Sequence, residues 1–311
     1  MDRNMRLRLA ICACLLILLT QSGVLNLFAA ALSQQQNLSV LLFLQTGRVL
    51  RPPSSQPQET IGETAPPTPT NPTQPLTFSP DQLVEVQYFC DYRPDLNTLL
   101  TQAVDISLPS DAPTVLIVHT HATESYAGTA GYRSEDESEN LIAIGEEIAR
   151  VLRSGGVQVL HDKTYHDQPN FDDAYGNARR TIQTYLEKYP TIQMVLDIHR
   201  DASDTTAGQL ITSATVGGQK SAQLMMVVGT DAGGNHHPNW QQNLSLALQL
   251  SAVLEEENPG IIRPIQLRAQ RFNMDLTAGS LLIEVGAAGN TQQEALIAAN
   301  ALAQGILTLC A

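Results

Sequence analysis

MVLDIHRDA, residues 194–202, is the stretch whose reading decides the fold. Pro190 stops a helical pattern that begins near Asp172, and Ile192 to Ile198 then gives a short apolar run of buried-strand type. That run ends in His199, Arg200 and Asp201, polar residues that a buried strand does not need for packing. The same arrangement recurs on both sides. Upstream, Val115-Leu116-Ile117-Val118 leads into His119-Thr120-His121, with Glu124 close behind. Downstream, the strand Ser280 to Val285 carries Glu284 near its end. Between these runs lie helical periods. Leu141, Ile144, Ile148 and Val151 recur at helical spacing before Gly155-Gly156, a helix opens at Pro238 and runs to about Glu257, and Thr291 with Glu294 forms a capping box for a last helix. Further strands are expected at Val157–Leu160, Leu210–Thr215 and Leu224–Val228. Strands alternating with helices predict a single α/β catalytic domain with a mostly parallel sheet flanked by helices on both faces.

In such a sheet ligands sit outside the carboxyl ends of the strands. If the three strands are parallel neighbours, two or three imidazoles and one or two carboxylates meet at one edge. That is the donor chemistry of a catalytic zinc site, which keeps one position open for water. An isolated His-x-His, or a lone Glu at a strand end, is often structural, so the argument rests on their joint placement. Rival chemistries have less behind them. Ser125 lies near His121, but there is no GxSxG elbow. The four cysteines contain no CxxC pair, and Gly217-Gly218 and Gly233-Gly234 read as turns, not as a phosphate loop. With 18 Lys+Arg against 31 Asp+Glu, net −13, nucleic acid is not the expected partner. Arg263, Arg268 and Arg271 could still form a local basic patch.

The flanking sequence predicts the organisation. Residues 1–32 read as a cytoplasmic tip with Arg3, Arg6 and Arg8, followed by a transmembrane signal anchor from Leu9 to about Leu32. A cleaved signal peptide, using Ala29-Ala30-Ala31, is the rival reading. Residues 33–111 read as an extracytoplasmic linker and a transitional segment. Nine of the 17 prolines fall in 52–80, and the apolar residues after Gln82 pack as a flap or a short helix. Residues 112–311 are then the catalytic domain, outside the membrane on a single-pass anchor. Cys90 and Cys310 either pair or stay as separate thiols.

Seven blocks make the chain recognisable: HTHATESY (119–126), ENLIAIGEEIARVL (139–152), VLHDKTYHD (159–167), MVLDIHRDA (194–202), MMVVGTDAGGNHHPNW (225–240), IIRPIQLRAQRFN (261–273) and LIEVGAAGNTQQEAL (282–296). In this order they resemble the stage II sporulation protein P family. The resemblance implies the fold and chemistry of zinc-dependent N-acetylmuramoyl-L-alanine amidases, acting on peptidoglycan during forespore engulfment. It also implies a second activity on the cross-linking peptide. Implied partners are a lytic transglycosylase of the stage II sporulation protein D type and membrane proteins. Residue by residue, His121 matches the first zinc ligand, His199 the second, and Glu284 the carboxylate that acts on the attacking water. The third ligand is left between Glu124, His119 and Glu139, because Asn140 aligns where the related amidases carry a ligand Glu. Arg200, Asn290 and Arg271 are the expected substrate contacts. Arg200 has the planar fork that binds a peptide carboxylate, or it pairs with Asp201.

Overall fold

The computed structural model describes residues 76–310, apart from 104–105, 109–110, 129–131, 203 and 206–207. The expected anchor, the proline-rich spacer up to residue 75, Cys12 and Cys14 lie outside the described residues. Among the described residues no helix is long and apolar enough to cross a membrane.

The elements run in the order β1 (Val86–Phe89), α1 (Leu96–Thr101), β2 (Val115–Val118), α2 (Leu141–Ser154), β3 (Val159–His161), α3 (Ala174–Lys188) and β4 (Met194–Asp201). There follow two small hairpins, β5 (Asp204–Thr205) with β6 (Gly208–Gln209) and β7 (Ala214–Val216) with β8 (Gln219–Ser221). Then come β9 (Leu224–Gly229), α4 (Trp240–Glu257), β10 (Ile265–Arg268), β11 (Ser280–Ala287) and α5 (Gln292–Leu309). Seven strands form the main sheet in the order β1-β10-β9-β11-β4-β2-β3. Every neighbouring pair is parallel except β9 with β11. Four strands therefore end at one edge of the sheet and three at the other.

Two apolar layers hold this sheet. On one face Ile117, Leu196, Ile198 and Ile283 pack against Ile144 and Ile148 of α2, Leu250 and Leu254 of α4, and Leu302 and Ile306 of α5. On the other face Leu116, Val118 and Val195 meet Ile182 of α3. The alternation in β2 and β4 produces this division, since successive side chains point to opposite faces. The helix ends follow their sequence signals. Asn140 caps α2 through Ile142 N–H, and Thr291 with Glu294 forms the capping box of α5.

The structure differs from the sequence reading in two places. The segment 81–111 supplies an edge strand, β1, and the short helix α1, which packs Leu99 and Leu100 into the main core. The strand expected at 210–215 becomes the β7–β8 hairpin, outside the main sheet. Gly217 and Gly218, with φ of 56° and 78°, make its two-residue turn, a conformation other residues reach only with strain. Cys90 and Cys310 are both free thiols.

Candidate active site

β2, β4 and β11 deliver their carboxyl ends to one edge of the sheet, and strand register decides which side chains meet there. Leu282 pairs with Asp197 and Glu284 with His199 across β11 and β4, while Val118 pairs with Asp197 across β2 and β4. Asp197, His199 and Glu284 therefore share the face covered by α3. His121 joins them from the turn after β2. Its ring lies 5.4 Å from that of His199, nearly perpendicular to it. Glu124, in the same turn, places Oε2 3.8 Å from His199 Nδ1 and accepts a hydrogen bond from the Arg200 backbone N–H (3.3 Å). Glu284 supplies a further carboxylate.

Burial and charge set the state of each group. His121 is driven down to about 3 by burial, with His199 adding to the effect. For His199 burial acts in the same direction, but Asp197, Glu124 and Glu284 outweigh it and raise the group to about 10. Asp197 is itself held down: burial would raise it, but His199 and two hydrogen bonds from Thr120, N–H at 2.8 Å and Oγ1 at 2.6 Å, prevail. Burial raises Glu124. It pushes Glu284 up to about 8, helped by Glu124 and Asp201.

Several polar atoms here have no hydrogen-bond partner. His121 Nδ1 and Glu284 Oε2 are buried and unmatched. His199 Nε2 lies 3.1 Å from Asp197 Oδ1, close enough for an ion pair but off the line of a hydrogen bond. A buried polar atom left unpaired costs about 1–3 kcal/mol, so a cluster of them fits a site built to take a bound group. Among the described residues, no three His, Cys, Asp or Glu side chains are arranged to hold a metal ion together. The donor types nevertheless suit zinc: two imidazoles and a carboxylate, with a second carboxylate beside them. Asp197 at His199 Nε2 stands where a carboxylate would orient the imidazole of a metal ligand, leaving Nδ1 beside Glu124.

The other expected residues lie elsewhere. His119 follows Ile117 in the alternation and falls on the opposite face of the sheet, where its Nε2 is 2.9 Å from His161 Nε2 and its Nδ1 3.3 Å from the Ile198 carbonyl. It is not brought to His121 and His199. Glu139 is exposed and accepts a hydrogen bond from Ser134 Oγ (3.1 Å), so it too stands apart. Arg200 is buried, and its guanidinium is fastened to the carbonyls of Ser125 (2.7 Å) and Tyr132 (2.6 Å). It braces the turn carrying Glu124 and does not reach into the open; Asp201 pairs instead with Arg263 at 2.9 Å. Asn290 is fully buried, with its amide bonded to Thr212, Ala287 and Glu294. Arg271 alone of the three expected substrate contacts lies on a cleft, next to Phe272 and Tyr175.

Three residues were not singled out from sequence. Asp197 had a signal, since two residues before His199 on one strand is the same face. Phe171 stacks on His121 at 4.3 Å, with the Arg133 guanidinium 4.2 Å from its ring centroid. Tyr175 meets His121 edge-on at 5.5 Å and stacks on His199 at 6.4 Å. Nothing local in the sequence ties these two aromatics to the ends of β2 and β4.

The sequence model of the family described as Stage II sporulation protein P matches residues 53–307. The chain is similar to Stage II sporulation protein P of Bacillus subtilis (strain 168), 28% identical over 212 residues, which is 62% of this chain and 50% of that protein. The chain thus spans about half the length of the curated relative it matches. Among solved structures it is similar to the N-acetylmuramoyl-L-alanine amidase AmiC2 of Nostoc punctiforme (TM-score 0.41, 16% identity, 63% of this chain and 96% of that one). It is also similar to the N-acetylmuramyl-L-alanine amidase Ami1 from Mycobacterium smegmatis (TM-score 0.40, 13% identity, 66% and 99%). At such scores and identities the chemistry has to be argued from this chain's own residues.

Proposed function

The chain belongs to the stage II sporulation protein P family, and from that premise we propose that it is a peptidoglycan hydrolase of sporulation, a zinc-dependent N-acetylmuramoyl-L-alanine amidase. The observation that carries the reading is the convergence of His121, His199, Glu124 and Glu284 at one sheet edge, with His121 Nδ1 and Glu284 Oε2 buried and unpaired. His121, His199 and Glu124 would hold the metal. Bound there, zinc supplies a Lewis acid that polarises the scissile carbonyl and makes water a better nucleophile near neutral pH.

The remaining work falls to the chain. Glu284 takes a proton from the attacking water and delivers it to the amine as the carbon–nitrogen bond breaks, so no net proton is gained or lost by the protein. Asp197 fixes the His199 ring, and Thr120 fixes Asp197. Arg200 braces the turn that presents Glu124. Phe171 and Tyr175 cover His121 and His199 with apolar surface, which strengthens charge interactions by keeping water out.

The proposal extends to the setting. In this proposal the catalytic part lies outside the cytoplasmic membrane on a single-pass anchor, a reading supported by Arg3, Arg6 and Arg8 ahead of the apolar run, and works during forespore engulfment with a lytic transglycosylase of the stage II sporulation protein D type. The test is incubation of the full chain with purified sacculi, with and without added zinc, and mass spectrometry of the released fragments. Zinc-dependent release of stem peptides beginning at L-alanine is the expected result. Cleaved cross-links with stem and glycan still joined would reassign the enzyme as a peptidase. No release from a folded, metal-loaded sample would remove the hydrolase reading.

A further inference from the structure

HTHATES supplies one histidine to the cluster and leaves the other, His119, on the opposite face of the sheet. Backbone pairing between β2 and β4 ends with Val118 and Asp197. His121 follows that last pair on one side and His199 on the other, so the ladder does not fix how the two rings meet. Side chains take over on both faces. On the α3 face Asp197 accepts from Thr120 N–H and Oγ1. On the α2 face His119 reaches across to β4, with Nδ1 3.3 Å from the carbonyl of Ile198, the residue next to His199. His119 is fully buried.

Three neighbours hold that imidazole. His161, at the end of β3, puts Nε2 2.9 Å from His119 Nε2. His166 puts Nδ1 2.8 Å from the His119 carbonyl and Nε2 2.9 Å from Thr181 Oγ1 on α3. α2 crosses the pair at Gly145, where a Cβ would lie 2.6 Å from both Nε2 atoms. The positions of the hydrogens follow from the acceptors. A carbonyl can only accept, so His119 carries its hydrogen on Nδ1 and bonds Ile198. Burial keeps this ring neutral, driving it down to about 3, and that leaves Nε2 bare. His161 then donates to it through Nε2–H. The other nitrogen of His161 is 3.2 Å from Glu146 Oε2, but that carboxylate is half-exposed and also meets Lys163 (3.4 Å) and Arg153 (3.6 Å). The bond that orients the His119 ring is therefore the one from His161.

We infer that His119 is a positioning residue for the histidine–carboxylate site: oriented by His161, it bonds the end of β4 to the turn after β2 and so sets the angle and separation of His121 and His199. The purpose of that setting rests on the reading of those two imidazoles as metal ligands; the chain from His161 through His119 to Ile198 rests on the contacts themselves. Its chemistry is specific about which atom matters. At position 119 the bond leaves from Nδ1, whose place the amide nitrogen of Asn can take and that of the longer Gln cannot. At position 161 the bond leaves from Nε2, so Gln is the substitute there and Asn falls short. A role in packing alone gives a different order, since Leu fills the volume at either position better than Asn.

The test reads the two rings and the metal separately. The full chain, labelled at its seven histidines, is followed by NMR for the contact between the His121 and His199 rings, whose centroids are 5.4 Å apart. Zinc affinity is measured on the same samples by chelator competition, with thermal unfolding of each variant. His119→Asn and His161→Gln should keep the ring contact and the parental affinity. His119→Leu and His161→Leu should lose the contact and bind zinc about tenfold or more weakly, the scale for residues that orient the ligands of a metal. Should the Leu variants fail to fold, His119→Asn against His119→Gln decides, Asn being expected to hold the rings and Gln to release them. A parental ring contact in a folded His119→Leu, an Asn no better than Gln at position 119, or no ring contact in the parent would overturn the assignment. A parent that keeps the ring contact but binds no zinc would instead sink the metal reading, and the ring contacts of the variants would still decide the positioning.

Discussion

Asn290→Ala is expected to unfold the protein early without touching its chemistry. The Asn290 side chain makes five hydrogen bonds in a fully buried position. Its Oδ1 accepts from Thr212 N–H, Thr212 Oγ1 and Ala287 N–H at 3.0–3.1 Å, and its Nδ2 donates to the Thr212 carbonyl at 2.7 Å and to Glu294 at 2.8 Å. It therefore ties together the end of β11, the start of α5 and the strand-like segment before β7. Truncation removes the bonds and strands the Thr212 and Ala287 amides and the Thr212 carbonyl. Each lost bond is worth about 1 kcal/mol net, and each buried orphan costs about 1–3 kcal/mol, but the site partly relaxes, so the total is about 3–5 kcal/mol. For a domain of this size each kcal/mol lowers Tm by about 2–4 °C, so a fall of roughly 10 °C or more is expected. Scanning calorimetry of the two proteins measures it, with activity assayed well below both transitions. A loss under about 1 kcal/mol would refute the bond-by-bond reasoning. Full stability with lost cleavage would return Asn290 to the substrate.

Other expectations follow from single contacts. Gly145→Ala would place its methyl 2.6 Å from both His119 Nε2 and His161 Nε2, so the variant should lose stability in thermal unfolding. The overpacking penalty of about 1–3 kcal/mol exceeds the roughly 1 kcal/mol that alanine gains over glycine in a helix. Thr291→Ala removes the cap that accepts from Glu294 N–H, and should cost about 1 kcal/mol in a urea titration with activity unchanged. Asp275 carries a pH signature. Burial would raise its carboxyl, but Arg179 and then Arg271 hold it below the usual 3.8. A depressed folded pKa stabilises the protein above the unfolded value and ceases to do so as pH falls through the folded one. The stability gap between the parent and Asp275→Asn should therefore be full at neutral pH and close below about pH 4, as read by denaturant titration across pH.

Much of the site was legible because local signals and global placement agreed. Short apolar runs that end in His121, His199 and Glu284 could be read as strands, and alternation with helices made them parallel neighbours, as β2, β4 and β11 are. Which of the candidate ligands share a face was not legible, because it depends on register between strands. His119 sits one residue past Val118, whose pairing with Asp197 sends His119 to the α2 face; nothing within HTHATES fixes that pairing. The same holds for Arg200, whose partners are carbonyls that any residue offers. The edge strand β1 was hidden because Val86–Phe89 is short, half exposed, and pairs with a strand far along the chain. By contrast, the β7–β8 hairpin had a readable mark in Gly217-Gly218, a two-residue turn between short strands.

The most direct test of the central claim is to compare the full chain with Glu284→Gln on purified sacculi, measuring bound zinc and released peptide in the same samples. Gln keeps the size of the side chain and removes its capacity to carry the proton. The account predicts equal zinc content, a Tm no lower than the parent's, and peptide release reduced by at least about a hundredfold. Release at the parental rate by Glu284→Gln, with the metal equally bound, would contradict it.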